Sequence, residues 1–442
     1  MTSLLLNRWD HEVTVSILCR PLPLGADNPM IAAMKSILTS TVIFLAILAG
    51  SALADPATTQ PVTTPQSFAA RLDAAVPGLL HAERIPGAVI AAGRRTSNGF
   101  EAWRMAYGDL QLEPHPAPMP VDAVFDLASM TKPIATGTCI MILADRGKLD
   151  IDDAVGKYLP EFAKGDKQHV TIRHLMTHMS GETPYLGAAG QKKLRDEHGF
   201  PCPAATRQAI RALDLTGPPG ETVVYSCLNA ILCGEIVEAV SGQPLDEFAT
   251  KNIFAPLKMH DTGFVPGERL WSRCVPTTRT DYGRGAGGFL QGQVHDPIAA
   301  LQAGVSGNAG LFSTADDLAR FARMMLDGGQ LDGVRILDEQ TVTRMTTPQN
   351  EGGKNRAGHL DRRGLLWDLY PPEAGATGID ALYAYGHTGY TGTAIRVYPE
   401  QGVYLIALTN RVHPDDSAGV REFRKAIWQI AGETLTNVEN KN

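Results

Sequence analysis

Strand-forming sequence in this chain is concentrated toward its two ends, and that distribution limits its possible folds more than any other feature. Near the start, Gly87-Ala-Val-Ile-Ala-Ala-Gly-Arg-Arg95 and Phe100-Glu-Ala-Trp-Arg-Met-Ala-Tyr107 flank Ser97-Asn98-Gly99. Two apolar runs around a short turn ending in glycine predict a β-hairpin. Short β-branched or aromatic runs return at Ala381 to His387, Thr391 to Tyr398 and Val403 to Leu408, separated by Gly389-Tyr-Thr-Gly392 and Pro399-Glu-Gln-Gly402. The intervening stretch, to about residue 284, is dominated by helical periodicity and turns. An amphipathic helix is predicted from about Ser67 to Glu83 and another from about Asp416 to Glu433. The expected class is α/β of the α+β kind: an antiparallel sheet built from both ends of the sequence, flanked by N- and C-terminal helices, with an inserted, mostly helical lobe. In residues, 66–125 with 285–442 form a discontinuous α/β sandwich and 126–284 the helical domain, with a site expected in the cleft between them.

The chain has 442 residues, of which 44% are hydrophobic and 20% charged, a globular composition. A net charge of −7 gives no basis for a nucleic-acid partner. Met34 to Ala54 has a short basic start, an apolar run and a closing Ala52-Leu53-Ala54, the layout of a secretory signal cleaved before Asp55. The apolar run is short for a bilayer span, so no membrane span is expected after cleavage, and translation is expected to begin at Met30 or Met34. Export would place the protein in the periplasm or outside the cell. Residues 55–65 read as a Pro/Thr-rich linker, so that 1–54 is upstream segment and signal. Of six cysteines, Cys19 would leave with the leader, and the remaining five cannot all pair.

The chemistry-bearing turn is Ser129-Met130-Thr131-Lys132. Read as the start of a helix closed by Gly147, it puts Ser129 and Lys132 three residues apart on one face, a hydroxyl beside an amine. Serine needs a neighbour to take its proton, and lysine can do so only if burial or a positive field lowers its pKa. Three other stretches accompany it: Tyr225-Ser226-Cys227, Tyr385-Gly-His-Thr-Gly-Tyr390, and Ser306-Gly-Asn-Ala-Gly-Leu-Phe-Ser-Thr314, a Gly-rich turn into a helix capped by Ser313 or Thr314. Singly each has an ordinary structural reading. Together and in this order, from about residue 66 to 435, they resemble the serine hydrolases of the class C β-lactamase, DD-peptidase and esterase superfamily, helped by flanking phrases such as Thr171-Ile-Arg-His-Leu-Met-Thr-His-Met-Ser-Gly181. The resemblance implies a β-lactamase/transpeptidase-like fold and an acyl-enzyme mechanism without cofactor or metal. Ser129 would attack an ester, peptide or lactam carbonyl, with Lys132 and Tyr225 carrying the proton. The Ser129 and Tyr390 N–H groups would hold the oxyanion. His387, Thr388, Gly389 and Cys227 would line the substrate site.

Two departures from the family pattern bear on substrate. Cys227 stands where many lactam-binding members have asparagine, and its thiol lacks the amide's donor and acceptor pair. Asn229, two positions on, should point elsewhere on a helix. His387, mostly neutral at pH 7, replaces the lysine of β-lactamases. Both favour an esterase or D-alanyl-D-alanine carboxypeptidase-like activity over an efficient β-lactamase. The rival class is a penicillin-binding receptor acylated at Ser129 without turnover. His174 and His178 have metal-ligand spacing, but their phrase recurs in the metal-free family and reads as structural.

Overall fold

The computed structural model describes residues 67–373 and 376–436. The expected export signal, start site and linker lie outside the described residues. Among the described residues, no helix is long and apolar enough to cross a membrane.

The first described element is helix α1 (Phe68–Glu83), capped by Ser67, whose side chain accepts the Ala70 N–H at 3.3 Å. The predicted hairpin follows as β1 (Gly87–Thr96) and β2 (Gly99–Gln111), with the short β3 (Ala117–Pro118) beyond it. The late runs form β4 (Asp368–Tyr370), β5 (Ala384–Thr388), β6 (Ala394–Tyr398) and β7 (Val403–Thr409). These seven make one antiparallel sheet in the order β4-β5-β6-β7-β1-β2-β3, so the last strand pairs with the first, Ile90 opposite Ala407.

Period-two alternation separates the two faces of this sheet. Ala88, Ile90 and Ala92 of β1 join Val403, Leu405 and Ala407 of β7 in one core, packed against Phe68, Leu72, Val76 and Leu80 of α1. The terminal helix α5 (Arg421–Leu435) adds Phe423, Ile427 and Ala431 to it. Val89, Ala91, Tyr404, Ile406 and Leu408 face the opposite way, into the larger core, where they meet Leu318, Phe321 and Met325 of helix α4 (Ala315–Leu326). With both faces covered, the central strands read as continuous apolar runs rather than alternating ones.

The larger core also takes in helices α2 (Thr138–Asp145) and α3 (Cys227–Ser241). Gly147, at φ +64, ends α2 as expected: the Lys148 N–H reaches the Leu143 carbonyl at 2.9 Å, closing a left-handed cap. The terminal helix begins at Arg421 rather than near Asp416, whose carboxylate pairs with Arg411 in the loop before it. Leu311–Ser313, predicted as part of a turn, is a short strand between Phe125–Asp126 and Gly263–Phe264, and Thr314 caps the helix after it, accepting the Asp317 N–H at 3.2 Å. All five cysteines in the described residues are free, and four are buried.

Candidate active site

Ser129 lies in a tight turn, Ala128–Met130, followed by a widened turn, Lys132–Gly137, that runs into α2. The residue before it, Ala128, has φ +45, a left-handed conformation that costs a side-chain-bearing residue about 1–2 kcal/mol. Hydrogen bonds from three directions hold it there. The buried Asp126 carboxylate accepts the Ala128 N–H at 2.8 Å and the His295 N–H at 2.7 Å. Thr391 and Thr393, in the β5–β6 connection, donate their hydroxyls to the carbonyls of Asp126 at 2.7 Å and Leu127 at 3.1 Å. The Leu127 N–H reaches the Leu311 carbonyl at 2.9 Å. Burial pushes the Asp126 carboxyl up to about 6, against the pull of those two N–H donors.

The Lys132 side chain is fully buried, and its Nζ lies 2.9 Å from Ser129 Oγ, 3.1 Å from the Asn308 carbonyl and 3.5 Å from Cys227 Sγ. Three acceptors match the three donors of an ammonium. Burial pulls its pKa down, but the net shift is upward, because the anionic forms of Cys227 and Tyr225 attract the cation. That direction is opposite to the lowered pKa a lysine base would need.

Tyr225 sits with its ring centroid 5.1 Å from Lys132 Nζ, between the rings of His178 at 4.6 Å and His387 at 6.1 Å. Its pKa is raised on balance by burial, while the Lys132 ammonium and the Ser129 hydroxyl act to lower it. Its segment is tied down on either side: the Val224 N–H bonds the His178 carbonyl at 2.8 Å, the Ser226 N–H bonds His178 Nδ1 at 3.3 Å, and the Cys227 N–H bonds the Pro184 carbonyl at 2.8 Å. Those bonds give His178 a structural role. Asn229 is buried, with its Oδ1 accepting the Ser180 hydroxyl at 2.6 Å, so it does point away from the site.

The third side is the end of β5. His387 is buried, desolvation lowers its pKa, and its Nδ1 lies 2.8 Å from the Thr388 carbonyl, so the ring is neutral at pH 7. Gly389 passes so close to the nucleophile turn that a Cβ would sit 2.2 Å from Thr393 Oγ1 and 2.4 Å from the Leu127 carbonyl. Only glycine permits that approach, which brings the Tyr390 main chain to the Ser129 turn.

Ser129, Tyr225, His387, Thr388, Gly389 and Tyr390 all line one cleft of about 660 Å³. Cys227 is not on its wall; it lies beneath, against Lys132. The rest of the lining includes Arg363, Asp368, Arg411 and Arg424. Arg424, from α5, donates to the carbonyls of Gly389 at 3.1 Å and Thr393 at 2.8 Å, has no carboxylate partner among the described residues, and is pushed down to about 10 by burial.

Comparison with known proteins settles the family. The Beta-lactamase family model matches residues 72–427. The chain belongs to the Beta-lactamase family. Over 390 residues this β-lactamase-family chain is 30% identical to a Bacillus subtilis (strain 168) protein named N-acetylmuramyl-L-alanine amidase, covering 80% of this chain and 84% of that one. It is 32% identical over 343 residues, 71% of this chain and 75% of the relative, to an Escherichia coli (strain K12) protein provisionally named a D-alanyl-D-alanine carboxypeptidase. In fold it is similar to a class C β-lactamase, TM-score 0.64 at 18% identity over 83% and 98% of the two chains. It is also similar to an octameric penicillin-binding protein homologue from Pyrococcus abyssi, TM-score 0.62 at 22% identity over 82% and 76%.

Sequence reasoning missed several residues around the site of this family member. Asn308 lies in the Gly-rich stretch and Asp126 three residues before Ser129, but their contributions are a main-chain carbonyl and a carboxylate bracing backbone, neither of which has a side-chain pattern to find. Arg424 lies on a helix whose apolar face alone was legible, far in sequence from every other site residue.

Proposed function

We propose that this hydrolase forms an acyl-enzyme at Ser129 and acts on acyl peptides that end in a free carboxylate, in the manner of a D-alanyl-D-alanine carboxypeptidase or a related amidase or esterase. The observation that carries the reading is the 2.9 Å contact between Ser129 Oγ and a fully buried Lys132 whose other two donors are already used. Because the ammonium donates to Oγ, the serine proton has to leave toward the other neighbour, the Tyr225 oxygen. Lys132 and Tyr225 then act as a unit that is active after losing one proton: the ammonium stabilises the phenolate, the phenolate takes the serine proton, and the same proton passes to the leaving group. The developing oxyanion is received by the N–H groups of Ser129 and Tyr390, at about 3 kcal/mol per donor.

Arg424 supplies a desolvated cation next to Gly389, suited to a substrate carboxylate. A neutral His387 in place of a lysine leaves lactam recognition weak, so β-lactam hydrolysis is a slow side reaction. The names of the B. subtilis and E. coli relatives support a cell-wall peptide as the substrate class, and with it export past the inner membrane. N-terminal sequencing of the exported protein tests the cleavage before Asp55.

The deciding experiment is intact mass measurement with a chromogenic ester, a D-Ala-D-Ala peptide and a cephalosporin, alongside steady-state turnover. The reading expects an adduct on Ser129 and continuous release of product. One equivalent of product with no steady state would make the protein a receptor instead, and no adduct with any of the three would defeat the acyl-serine mechanism.

A further inference from the structure

Among the cations of the cleft, one is left without work. Arg363 is bonded to both Asp361 and Asp368, Arg411 to Asp416, and Arg424 to two main-chain carbonyls. Arg362 also lines the cleft, but it is exposed and has no ion-pair or hydrogen-bond partner among the described residues. A free surface arginine usually means nothing. Here its backbone is held with unusual care.

Arg362 is bracketed by the side-chain amide of Asn350, itself only 6% exposed. Asn350 Nδ2 donates to the carbonyl of the preceding residue, Asp361, at 2.7 Å, while its Oδ1 accepts the N–H of the following residue, Arg363, at 2.7 Å. The Asp361 N–H bonds the Gly353 carbonyl at 3.0 Å, and the Arg363 carbonyl accepts the Gln349 N–H at 2.8 Å. Farther along the loop, Lys354–Asn355 pairs in parallel with Thr222–Val223, the run leading into Tyr225, and the Arg363 guanidinium lies 6.0 Å from the Tyr225 ring centroid. The loop thus fixes its own chain and the Arg363 side chain, and leaves the Arg362 guanidinium without an ion-pair or hydrogen-bond partner among the described residues, in the cleft that Tyr225 also lines. Arg424 stands by Gly389, on a different element.

We infer that Arg362 is a specificity-determining residue that receives a second carboxylate, on the acyl portion of the substrate, so that the favoured substrate is a diacidic peptide. The inference rests on the proposed acyl-serine reading and names the substrate class for that site. Nothing in the fold uses the Arg362 side chain, so replacing it leaves the protein intact. An exposed charge pair of this kind is worth a modest, salt-sensitive gain in binding rather than a change in chemical rate.

The probes are two acyl-D-Ala-D-Ala peptides identical except that the acyl portion carries a glutamate or a glutamine. Binding is measured to the Ser129→Ala protein, where turnover cannot intervene. The glutamate peptide is expected to bind about 3- to 10-fold tighter at low salt, the preference shrinking with added salt. Adding Arg362→Gln removes the preference, and Arg362→Lys, which keeps the charge but not the planar fork, retains part of it. Equal affinity for the two peptides, a preference that survives Arg362→Gln, or no binding of either peptide overturns the inference. Turnover of the same peptides by the unaltered protein keeps the two ideas apart. Hydrolysis without discrimination sinks the role of Arg362 alone, whereas discrimination in binding with no acyl-serine formed sinks the hydrolase mechanism alone.

Discussion

The floor and the rim of the cleft are built on opposite plans. On the floor, Lys132 and His387 are buried, every donor of the lysine ammonium has an acceptor, and the Ser129 turn is braced by Asp126, Thr391 and Thr393. On the rim, Tyr390 is 55% exposed and the exposed Arg362 side chain has no ion-pair or hydrogen-bond partner among the described residues. Water is excluded where protons must move between fixed partners, so small displacements there are expensive. At the rim, charges are screened, and each side chain contributes little by itself. On the proposed reading, the floor sets the type of reaction and the rim sets which molecules are presented to it.

Substitutions test that division, and the largest effect belongs to the floor. Ser129→Ala should lower ester turnover by a factor on the order of 10³ to 10⁶ and abolish the mass adduct, since the hydroxyl in contact with Lys132 is lost. Residual turnover with an adduct at another residue would show that the floor has been misread. Tyr225→Phe and Lys132→Met should each lower kcat by roughly 10²- to 10⁴-fold, with their joint effect far below the product of the two, because they act as one proton-carrying unit. In the parent enzyme, the profile of kcat/KM should rise with pH as that unit loses its proton, and Tyr225→Phe should flatten it.

Gly389→Ala comes next. Its Cβ would meet Thr393 Oγ1 and the Leu127 carbonyl at 2.2 and 2.4 Å, so the connection must move and carry the Tyr390 N–H with it. The loss should be about 10²- to 10³-fold in kcat, as for a lost oxyanion donor, with a change in KM much smaller than that. If activity is untouched, Tyr390 contributes no oxyanion donor.

Glu182, whose N–H bonds the Ser180 hydroxyl, offers a stability test away from the cleft floor. It is 1% exposed, neither carboxylate oxygen has a hydrogen-bond partner among the described residues, and burial pushes its pKa up to about 7. A carboxyl raised on folding supports the fold fully below its unfolded value, near 4.5, and loses that support as pH rises through about 7. Denaturant unfolding should therefore show stability falling between those limits by on the order of 1–3 kcal/mol from this residue. Glu182→Gln should remove that slope and be the more stable protein at pH 8. A slope unchanged by the substitution would mean that Glu182 ionises freely in the folded chain.

The smallest effect is expected at the rim. Tyr390→Ala keeps the main-chain donor and removes an exposed ring whose hydroxyl bonds Asp416. It should change kcat less than about 3-fold. A loss comparable to that of Gly389→Ala would blur the distinction between the two zones.

The legibility of the sequence follows the same line. Ser129 and Lys132 sit three apart in a turn, and the strands around them are short apolar runs with turn residues between, so spacing and periodicity reveal both. The shape of the sheet was readable because Ile90 and Ala407 lie in runs that can only be central strands. What was hidden depends on contacts across hundreds of residues. No local pattern says that Asp126 braces Ala128, that Thr393 reaches back to Leu127, or that Asn350 clamps the chain around Arg362. The surroundings of Lys132 were hidden for a related reason: the Asn308 carbonyl and Cys227 are brought to it by the fold, and the motif does not contain them.

One consequence concerns the order in which a ribosome makes the chain. The hairpin Gly87–Gln111 comes out early, but its inner edge is meant for β7, and the threonines that secure the Ser129 turn are supplied by the connection just before β6. Until those late segments have emerged, the nascent polypeptide carries an open strand edge and an unsupported serine. Hydrolytic competence should therefore await the late strands rather than accompany the early ones.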